Sequence, residues 1–387
     1  MAKRAKPSEK TSVFESFAAS VSQGGPAAVG IGTMIAVLLF QDAFFGDLSN
    51  YPLTALIFLW LFAVMIWCAF GVLRHAESIA VILGEPYGTL VLTVAVTVIE
   101  VTLLVTIMLH GESNPTLARD TMFATLMLML NGMIGAALVI GGLRYHTQEY
   151  NLEGARAFLV VLAPLAVFSL IVPNYTETIP DPSKYPGKAM IFAILAAAFY
   201  SVFLAIQTTR HQSFFAQPRR NDENADVLAP VIRDSEPHGL LFHVPLMLVT
   251  LVPIVVLADF LAVIIDLGIE KNGLPDALGG IVVALIVLTP EGLTAMRAAA
   301  DNKLQRSVNV CLGSALATLG LTIPAILTVG LIANTDIHLG LTGLETVLLV
   351  LTLGVAALTF GGVRTTVLQG LVHLLMFASY LVLVFSP

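Results

Sequence analysis

The sequence predicts an all-α polytopic membrane protein with about 11 transmembrane helices, and three observations lead to that fold class. First, 57% of the 387 residues are hydrophobic and only 12% are charged, with a mean hydropathy of +0.88. Soluble domains carry about 25% charged residues. Second, apolar runs of roughly 20 residues, the length that spans a bilayer as a helix, recur along the chain. Third, these runs lack the alternation of barrel strands, and lipid otherwise admits only helices.

Clusters of charged residues, proline and glycine divide the apolar sequence into eleven candidate spans. They lie near residues 26–45, 52–73, 84–109, 120–142, 155–173, 188–208, 242–265, 275–298, 307–333, 341–361 and 365–385. We interpret the first span as an extra helix and the other ten as two sets of five. The predicted domains are therefore a cytoplasmic tail at 1–25, the extra transmembrane helix at 26–50, the first five-helix repeat at 51–208, a cytoplasmic linker at 209–241 and the second five-helix repeat at 242–387.

The distribution of lysine and arginine predicts the orientation, because cytoplasmic connections are enriched in positive residues. With a cytoplasmic N-terminus, fifteen of the 19 positive residues fall inside, and those outside are Arg119, Lys184, Lys188 and Lys271. The C-terminus is then outside. The basic N-terminal tail runs into apolar helices without a small-residue cleavage site, so we expect it to be retained. The predicted location is a bacterial inner membrane.

The composition excludes several classes of function. No basic stripe suited to nucleic acid is present, since the charges are confined to short connections. Cys68 and Cys311 lie inside apolar runs, where cysteine is typically a small buried side chain. No zinc-binding motif or nucleophile elbow occurs. We therefore expect no enzymatic activity and no cofactor, and only inorganic ions, protons and lipid as partners. The polar segment 209–238 fits either a plain linker or a regulatory segment.

Two glutamates interrupt the apolar runs near the middle of a span. Glu100 lies in the third predicted span and Glu291 in the eighth, each in the second helix of its set of five. A charged side chain at the bilayer centre costs about 3 kcal/mol on insertion scales, so such residues are candidate functional sites by default. The alternative is a structural salt bridge, but no lysine or arginine lies at midspan to form one.

An odd number of helices in each set makes the two sets enter the membrane in opposite directions. Such inverted repeats are common in secondary transporters, which bind their substrate near the midplane between the repeats. We therefore predict that Glu100 and Glu291 form one shared site.

Hydroxyl and amide side chains accompany the two glutamates. Helical spacing places these side chains on three helix faces. One face has Thr89, Thr93 and Thr97 with Glu100, and a second has Ser307, Ser314, Thr318 and Thr322. The third has Thr121 and Thr125, with Asn131 beside it. Hard cations require several oxygen ligands, so we interpret Thr97, Asn131 and Ser314 as candidate cation ligands. The alternative is that these hydroxyls bond the carbonyl four residues before them.

Other residues near the two spans are less specific. Pro290 and Gly292 flank Glu291 and predict a broken helix, which would free backbone carbonyls as further ligands. Asp259 in the seventh span and His373 in the eleventh are candidate proton relays. Asp259 fits equally well at the outer interface, and His373 fits equally well as a hydrogen-bonded core residue.

The two glutamate segments resemble the paired repeats of the cation/calcium antiporter superfamily, in its cation–proton exchanger branch. The likeness rests on GEPYGTLVLTVAVTVIEV in the first repeat, and on LTPEGLTA and NKLQRSVNVCLGSALATLGLTIPAI in the second. Within that branch the chain is similar to the bacterial calcium/sodium/potassium–proton antiporters.

The resemblance implies a ten-helix inverted-repeat core in which Glu100 and Glu291 bind the cation and protons in turn. It also matches family positions to Gly313 with Ser314, to Pro324 and to Asn131. Calcium-selective exchangers of this type carry Gly-Asn-Ala-x-Glu in both repeats, whereas Thr97 and Leu288 occupy the asparagine positions here. The first repeat also lacks a Gly-Ser pair before Asn131. Fewer matched ligands favour a range that includes Ca²⁺, Na⁺ and K⁺.

Together these observations predict a secondary active antiporter that exchanges Ca²⁺ and/or Na⁺, with K⁺ as a further candidate, for H⁺. Two carboxylates in a dry site are tolerable when protonated and costly when both are ionised, unless a cation lies between them. The carrier would therefore change sides occupied by either protons or a cation. The alternative from another class is a cation channel with a carboxylate-lined pore.

Overall fold

The computed structural model describes residues 9–46, 48, 50–83, 87–110, 115–175, 186–218, 239–275, 277–333, 335 and 337–385. The first eight residues of the predicted tail, residues 219–238 of the predicted linker and the last two residues of the chain lie outside these ranges. The side chains of Thr89 and Thr93 also lie outside the description.

Helices make up nearly all of the described secondary structure. Their bounds are α1 (Glu9–Leu39), α2 (Gln41–Phe45), α3 (Tyr51–Leu83), α4 (Tyr87–His110), α5 (Leu117–Met127), α6 (Ile134–Tyr145), α7 (Leu152–Leu170), α8 (Pro186–Ala205), α9 (Leu240–Asn272), α10 (Ala277–Ala300), α11 (Leu304–Ala317), α12 (Ile323–Ala333), α13 (Gly343–Thr359) and α14 (Val367–Val384). Wider π-helical turns at Leu128–Met133 and Thr318–Thr322 join α5 to α6 and α11 to α12, and a third, Ile206–Arg210, ends α8. The two short strands are β1 (Gln148–Glu149) and β2 (Arg364–Thr365).

Eight helical stretches in the described part of the chain are long and apolar enough to cross a membrane, and three shorter apolar helices accompany them. The chain is an all-α polytopic membrane protein, as its composition predicts. A helical stretch coincides with each predicted span, and most bounds agree to within a few residues. The exceptions are α1, which begins at Glu9 and ends at Leu39, α3, which continues to Leu83, and α9, which continues to Asn272. Pro26 lies inside α1, where proline removes one backbone hydrogen-bond donor. The count of eleven crossings stays a prediction.

The chain divides into two compact units. The first contains residues 1–92 and 223–257, and the second contains residues 93–222 and 258–387. Within the first unit α1 packs against α3, where the thiol of Cys68 donates a hydrogen bond to the carbonyl of Pro26 (3.4 Å). Within the same unit α3 meets α9 through two buried imidazoles, with Nδ1 of His75 lying 3.0 Å from Nδ1 of His243.

Helix α10 is the centre of the second unit, where it packs against α5, α6 and α11. At Gly280 the approach of α10 to α5 is so close that a Cβ atom would lie 2.7 Å from the backbone nitrogen of Thr121. Around this centre α14 packs against α6, α8 against α12, and α7 against α11 and α8. The second unit therefore surrounds the helix that carries Glu291.

The connections of the second unit gather into two groups. In one group His338 N donates to Pro115 O (2.7 Å) and Leu341 N donates to Leu170 O (2.8 Å). In the other group β1 pairs antiparallel with β2, and the hydroxyl of Tyr145 donates to the carbonyl of Ala300 (2.8 Å).

This grouping is what alternate crossing of a membrane produces. The first group joins connections predicted to be outside, and the second group joins connections predicted to be inside. Which group faces the cytoplasm stays a prediction.

Candidate cation and proton site

Helix α4 carries Glu100 into the second unit, where its side chain is almost completely buried. Its Oε2 atom accepts hydrogen bonds from the hydroxyls of Thr318 (2.9 Å) and Thr322 (3.1 Å). Its Oε1 atom is also buried and has no hydrogen-bond partner among the described residues. A buried carboxylate oxygen without a partner costs free energy, so Oε1 is the atom of this side chain that can accept a further hydrogen bond.

Helix α10 places Glu291 beside the same stretch of chain. Its Oε2 atom accepts a hydrogen bond from the hydroxyl of Ser314 (2.7 Å), and the residue is half-buried. Ser314 lies one helical turn before Thr318, whose hydroxyl bonds Glu100, so the two glutamates contact adjacent turns of one helical stretch. The structure therefore brings together two predicted glutamates and Ser314, although these residues are far apart in the sequence.

The three hydroxyls on this pair of carboxylates come from one continuous helical stretch, formed by α11, the π-helical turn and α12. Ser314, Thr318 and Thr322 follow one another at four-residue intervals, which aligns them on one face. Intramembrane hydroxyls usually donate to the carbonyl four residues earlier. Thr328 in α12 does so, to Pro324 O (2.7 Å), whereas the three aligned hydroxyls donate to glutamates. Their orientation therefore serves the carboxylates.

Both halves of the second unit contain a π-helical turn at a corresponding place. Leu128–Met133 interrupts the third helix of the first predicted repeat, and Thr318–Thr322 interrupts the third helix of the second. Such turns widen the helix and are frequent at functional sites. The second of them carries both hydroxyls that bond Glu100, and the first carries Asn131.

Asn131 is engaged away from the carboxylates. Its Nδ2 atom donates a hydrogen bond to the hydroxyl of Thr352 (2.8 Å), and its Oδ1 atom lies 3.1 Å from Nδ1 of His373. Nε2 of His373 lies 2.9 Å from the hydroxyl of Thr359. All four side chains are buried. We call Asn131, Thr352, Thr359 and His373 the amide cluster. Its geometry matches the core role that the sequence left open for His373.

The remaining predicted residues lie outside these contacts. Thr97 is buried on α4 one turn before Glu100, but the hydrogen bonds that Glu100 accepts come from Thr318 and Thr322. Asp259 is half-buried on α9, and the hydrogen bonds at the two glutamates do not involve it. Ser307 donates to the carbonyl of Ala295 (2.6 Å), which is a structural role.

The predicted break in the helix at Pro290 is wrong. α10 runs without interruption from Ala277 to Ala300, with Pro290 inside it. Proline removes one backbone donor, and the close packing of α10 against α5, α6 and α11 keeps the helix intact. Gly292 instead allows close packing, because a Cβ atom there would lie 2.5 Å from the terminal methyl of Met133. Carbonyls freed by a broken helix are therefore not part of the site.

Sequence reasoning left four contact residues out of the predicted site. Thr318 and Thr322 belong to the hydroxyl stripe that was visible in the sequence, but nothing in the sequence showed that they bond Glu100 and not Glu291. Thr352 and Thr359 carried no signal, because single threonines in apolar helices are common. Only tertiary packing reveals what these hydroxyls contact.

The segments that carry these residues also match known proteins. The family described as sodium/calcium exchanger protein matches residues 53–209 and 242–386. Sodium-potassium/proton antiporter ChaA of Escherichia coli is 36% identical over 318 residues, which cover 82% of this chain and 86% of that protein. The protein y4hA of Sinorhizobium fredii is 39% identical over 320 residues, with 82% and 85% of the two chains covered.

Solved structures show the same fold at low identity. The native structure of YfkE matches with a TM-score of 0.72 and 16% identity, covering 94% of this chain and 99% of that one. The H⁺/Ca²⁺ exchanger CAX matches with a TM-score of 0.63 and 12% identity, covering 93% and 88%. At this identity the likeness concerns the fold alone.

Proposed function

Because the chain belongs to the sodium/calcium exchanger protein family, we propose that it is a secondary active antiporter that exchanges Ca²⁺ and/or Na⁺, with K⁺ as a third candidate, for H⁺. The observation that carries the proposal is the convergence of Glu100 and Glu291 on one row of hydroxyls. The E. coli relative is named a sodium-potassium/proton antiporter, and an Aphanothece halophytica relative, 22% identical over 315 residues, is named a Ca²⁺/H⁺ antiporter. Members of this family are transporters and not enzymes.

The unpartnered oxygen of Glu100 is where exchange would begin. Two hydroxyls already donate to Oε2, so a proton or a cation would bind at Oε1. A proton there makes the carboxyl neutral, and a cation there provides the missing positive charge. Either state removes the cost of an isolated carboxylate in a low dielectric.

The second glutamate makes the two states mutually exclusive. When both carboxylates are ionised their charges repel, and a cation between them relieves that repulsion. When both are protonated the cation has no charge to balance. Binding of Ca²⁺ would therefore release both protons, and binding of Na⁺ or K⁺ would release one. This competition couples the cation gradient to the proton gradient.

The hydroxyls complete the ligand shell. Ser314, Thr318 and Thr322 donate to the carboxylates in this structure, and each hydroxyl oxygen can turn a lone pair toward a bound cation. Hard cations prefer such oxygen ligands. We also propose that Thr97 and Asn131 bind the cation in another conformation of the protein, in which their side chains turn toward the glutamates. Asp259 and His373 enter it as candidate proton relays.

The topology belongs to the same proposal. We infer an extra first helix followed by two inverted five-helix repeats, at 51–208 and 242–387, in a bacterial inner membrane. The N-terminus and the linker would be cytoplasmic and the C-terminus outside. The separate gathering of connections at two ends of the second unit supports the alternation. A cysteine at Asn224 should resist an impermeant thiol reagent added outside, and one at Ser386 should react. Labelling of both from one side would contradict this topology.

Flux measurements test the activity. We would reconstitute the protein in liposomes that contain a pH-sensitive dye and add Ca²⁺, Na⁺ or K⁺ outside. We expect saturable, cation-driven proton movement. The half-saturating cation concentration should rise as the pH falls, because protons compete for the same carboxylates. Cation flux that does not saturate and moves no protons would show a channel instead.

A further inference from the structure

The first residues after α8 dock onto the second unit. We call His211–Pro218 the strap segment. It begins with a short 3-10 turn, Gln212–Phe215, and its backbone is held by two asparagines. Nδ2 of Asn151 donates to the carbonyl of Ser213 (3.1 Å), and Nδ2 of Asn309 donates to the carbonyl of Phe215 (2.7 Å). Asn151 precedes α7 and Asn309 belongs to α11, so the strap segment contacts both helices.

A buried glutamine connects the two asparagines. Oε1 of Gln305 accepts a hydrogen bond from the backbone nitrogen of Asn151 (2.6 Å), and its Nε2 atom donates to Oδ1 of Asn309 (2.8 Å). The Gln305 side chain is buried. This relay of amides locks the beginnings of α7 and α11 to each other and to the strap segment.

Aromatic rings extend the contact toward the glutamates. The ring of Phe215 in the strap segment meets Phe158 of α7 edge to face, with centroids 5.2 Å apart. Phe203 of α8 contacts both rings, at 4.9 Å and 5.7 Å. Phe158 is fully buried and packs on α11 at Gly313, where a Cβ atom would lie 3.6 Å from the ring. The next residue along the chain is Ser314, whose hydroxyl bonds Glu291.

Gly154 allows the strap segment to lie this close. A Cβ atom on this residue would be 2.2 Å from the carbonyl oxygen of Phe214. That atom belongs to the backbone and cannot turn aside, so any larger residue at 154 would displace the strap segment. Gly154 lies in the first turn of α7, next to the Asn151 side chain that caps this helix.

We propose that Phe158, Phe215 and the strap segment are positioning elements that hold α11 where the hydroxyl of Ser314 reaches Glu291. The proposal rests on the proposed function and goes beyond it, because it gives the beginning of the linker a role in setting the affinity for the cation. A hydroxyl and a carboxylate at 2.7 Å lose their hydrogen bond when they separate by about 1 Å. Displacing the strap segment would withdraw the Phe215 ring that packs against Phe158. Phe158 would then no longer hold α11 in place at Gly313, and the bond between Ser314 and Glu291 would be lost.

Gly154→Ala tests the proposal without removing a polar group. The matched control is Gly354→Ala in α13, where a Cβ atom would meet nothing within 4 Å. We expect Gly154→Ala to raise the half-saturating Na⁺ or Ca²⁺ concentration about three- to tenfold, the equivalent of one lost hydrogen bond. The maximal rate per folded protein should change less than about twofold, since the titrating groups are untouched. The control should match the wild-type protein.

Substitutions of Phe215 provide a second test of the positioning role, which remains available if Gly154→Ala does not fold. Phe215→Ala should raise the half-saturating concentration, and Phe215→Tyr should restore it because the ring is kept. In a Ser314→Ala background Phe215→Ala should have no further effect, since the two changes act through one hydrogen bond. Additive effects would overturn the proposal.

The outcomes separate the two levels of inference. If the wild-type protein moves no protons in response to any cation, the proposed function fails. If the wild-type protein exchanges and Gly154→Ala and Phe215→Ala both behave as the Gly354→Ala control, only the positioning role fails. Far-ultraviolet circular dichroism and size-exclusion profiles establish that each variant is folded before rates are compared.

Discussion

Two polar clusters in the second unit differ in whether all of their buried polar atoms have hydrogen-bond partners. The carboxylate cluster consists of Glu100, Glu291, Ser314, Thr318 and Thr322, and the amide cluster consists of Asn131, Thr352, Thr359 and His373. Each includes residues of a π-helical turn. In the amide cluster both polar atoms of the asparagine and both ring nitrogens of the histidine have partners. In the carboxylate cluster Oε1 of Glu100 has none among the described residues.

The hydrogen bonds of the amide cluster also fix its protons. Nδ2 of Asn131 donates to Thr352, so Oδ1 must accept, and Nδ1 of His373 must carry the hydrogen. With a neutral ring, Nε2 then accepts from Thr359. A complete network of this kind stabilises the fold and needs nothing further. An incomplete network leaves a buried polar atom that can accept a further hydrogen bond, and this difference is the reason for placing the proposed exchange site at the carboxylate cluster.

Removing either titrating charge should have the largest effect. Glu100→Gln and Glu291→Gln keep the shape of the side chain and lose the group that alternates between proton and cation. We expect cation-driven proton movement to fall by at least about 100-fold in each variant, as for groups that act together in one step. The measurement is dye-reported proton flux in liposomes.

Glu270→Gln is the matched control for this prediction, because Glu270 is exposed at the end of α9. It should exchange like the wild-type protein. Near-normal flux in either midspan variant would show that the carboxylate cluster is not the exchange site, and the contrast with the amide cluster would lose its meaning.

Removing the hydroxyls on Glu100 should have the next largest effect. Thr318→Val and Thr322→Val keep the branched shape and delete one donor each to the buried carboxylate. A hydrogen bond to a charged group contributes about 1.5–3 kcal/mol, so we expect the half-saturating cation concentration to rise roughly tenfold or more. Thr328→Val is the control, since that hydroxyl bonds a carbonyl of its own helix. Equal behaviour of all three variants would show that the hydroxyls only pack.

The sequence predicts the positions of the helices and of the two glutamates. The apolar runs and the polar clusters that divide them located the helices, so that the span predicted at 120–142 is found as Leu117–Met127 with its continuation to Tyr145. The isolation of Glu100 and Glu291 marked both residues as candidates, because intramembrane carboxylates are costly. These are local properties of the chain, and local properties can be read from one sequence.

The partners of these residues depend on tertiary packing and could not be predicted. The spacing of Ser314, Thr318 and Thr322 shows that they share a helix face, but nothing local shows that Thr318 and Thr322 bond Glu100 while Ser314 bonds Glu291. The two π-helical turns likewise arise from packing and leave no mark in composition. Pro290 gave a local signal for a broken helix that the surrounding helices override.

Ser314→Ala should have a smaller effect than the threonine changes. Glu291 is less buried than Glu100 and accepts one hydroxyl hydrogen bond, whereas Glu100 accepts two, so its carboxylate depends less on such donors. We expect the half-saturating concentration to rise about three- to tenfold, with the maximal rate nearly unchanged. Titration of the initial rate with Na⁺ and Ca²⁺ measures it. A larger loss than in Thr318→Val would reverse the ranking of the two carboxylates and make Glu291 the more dependent one.

Changes in the amide cluster should have the smallest effect on affinity and should act mainly on stability. Asn131 would have to break two buried hydrogen bonds before it could bind a cation, so Asn131→Ala should raise the half-saturating concentration less than Ser314→Ala does. The same variant removes the amide that donates to the hydroxyl of Thr352 and the oxygen that faces Nδ1 of His373, and each unsatisfied buried group costs about 1–3 kcal/mol. We therefore expect a clear drop in the thermal unfolding temperature for Asn131→Ala and for His373→Gln, with the pH dependence of exchange preserved. His373→Gln is the more informative of the two variants, because it has different effects on exchange if His373 is a proton relay and if it is a core residue. Loss of a proton relay would lower the maximal rate and change its pH profile at normal stability, and that result would place the amide cluster in the transport mechanism.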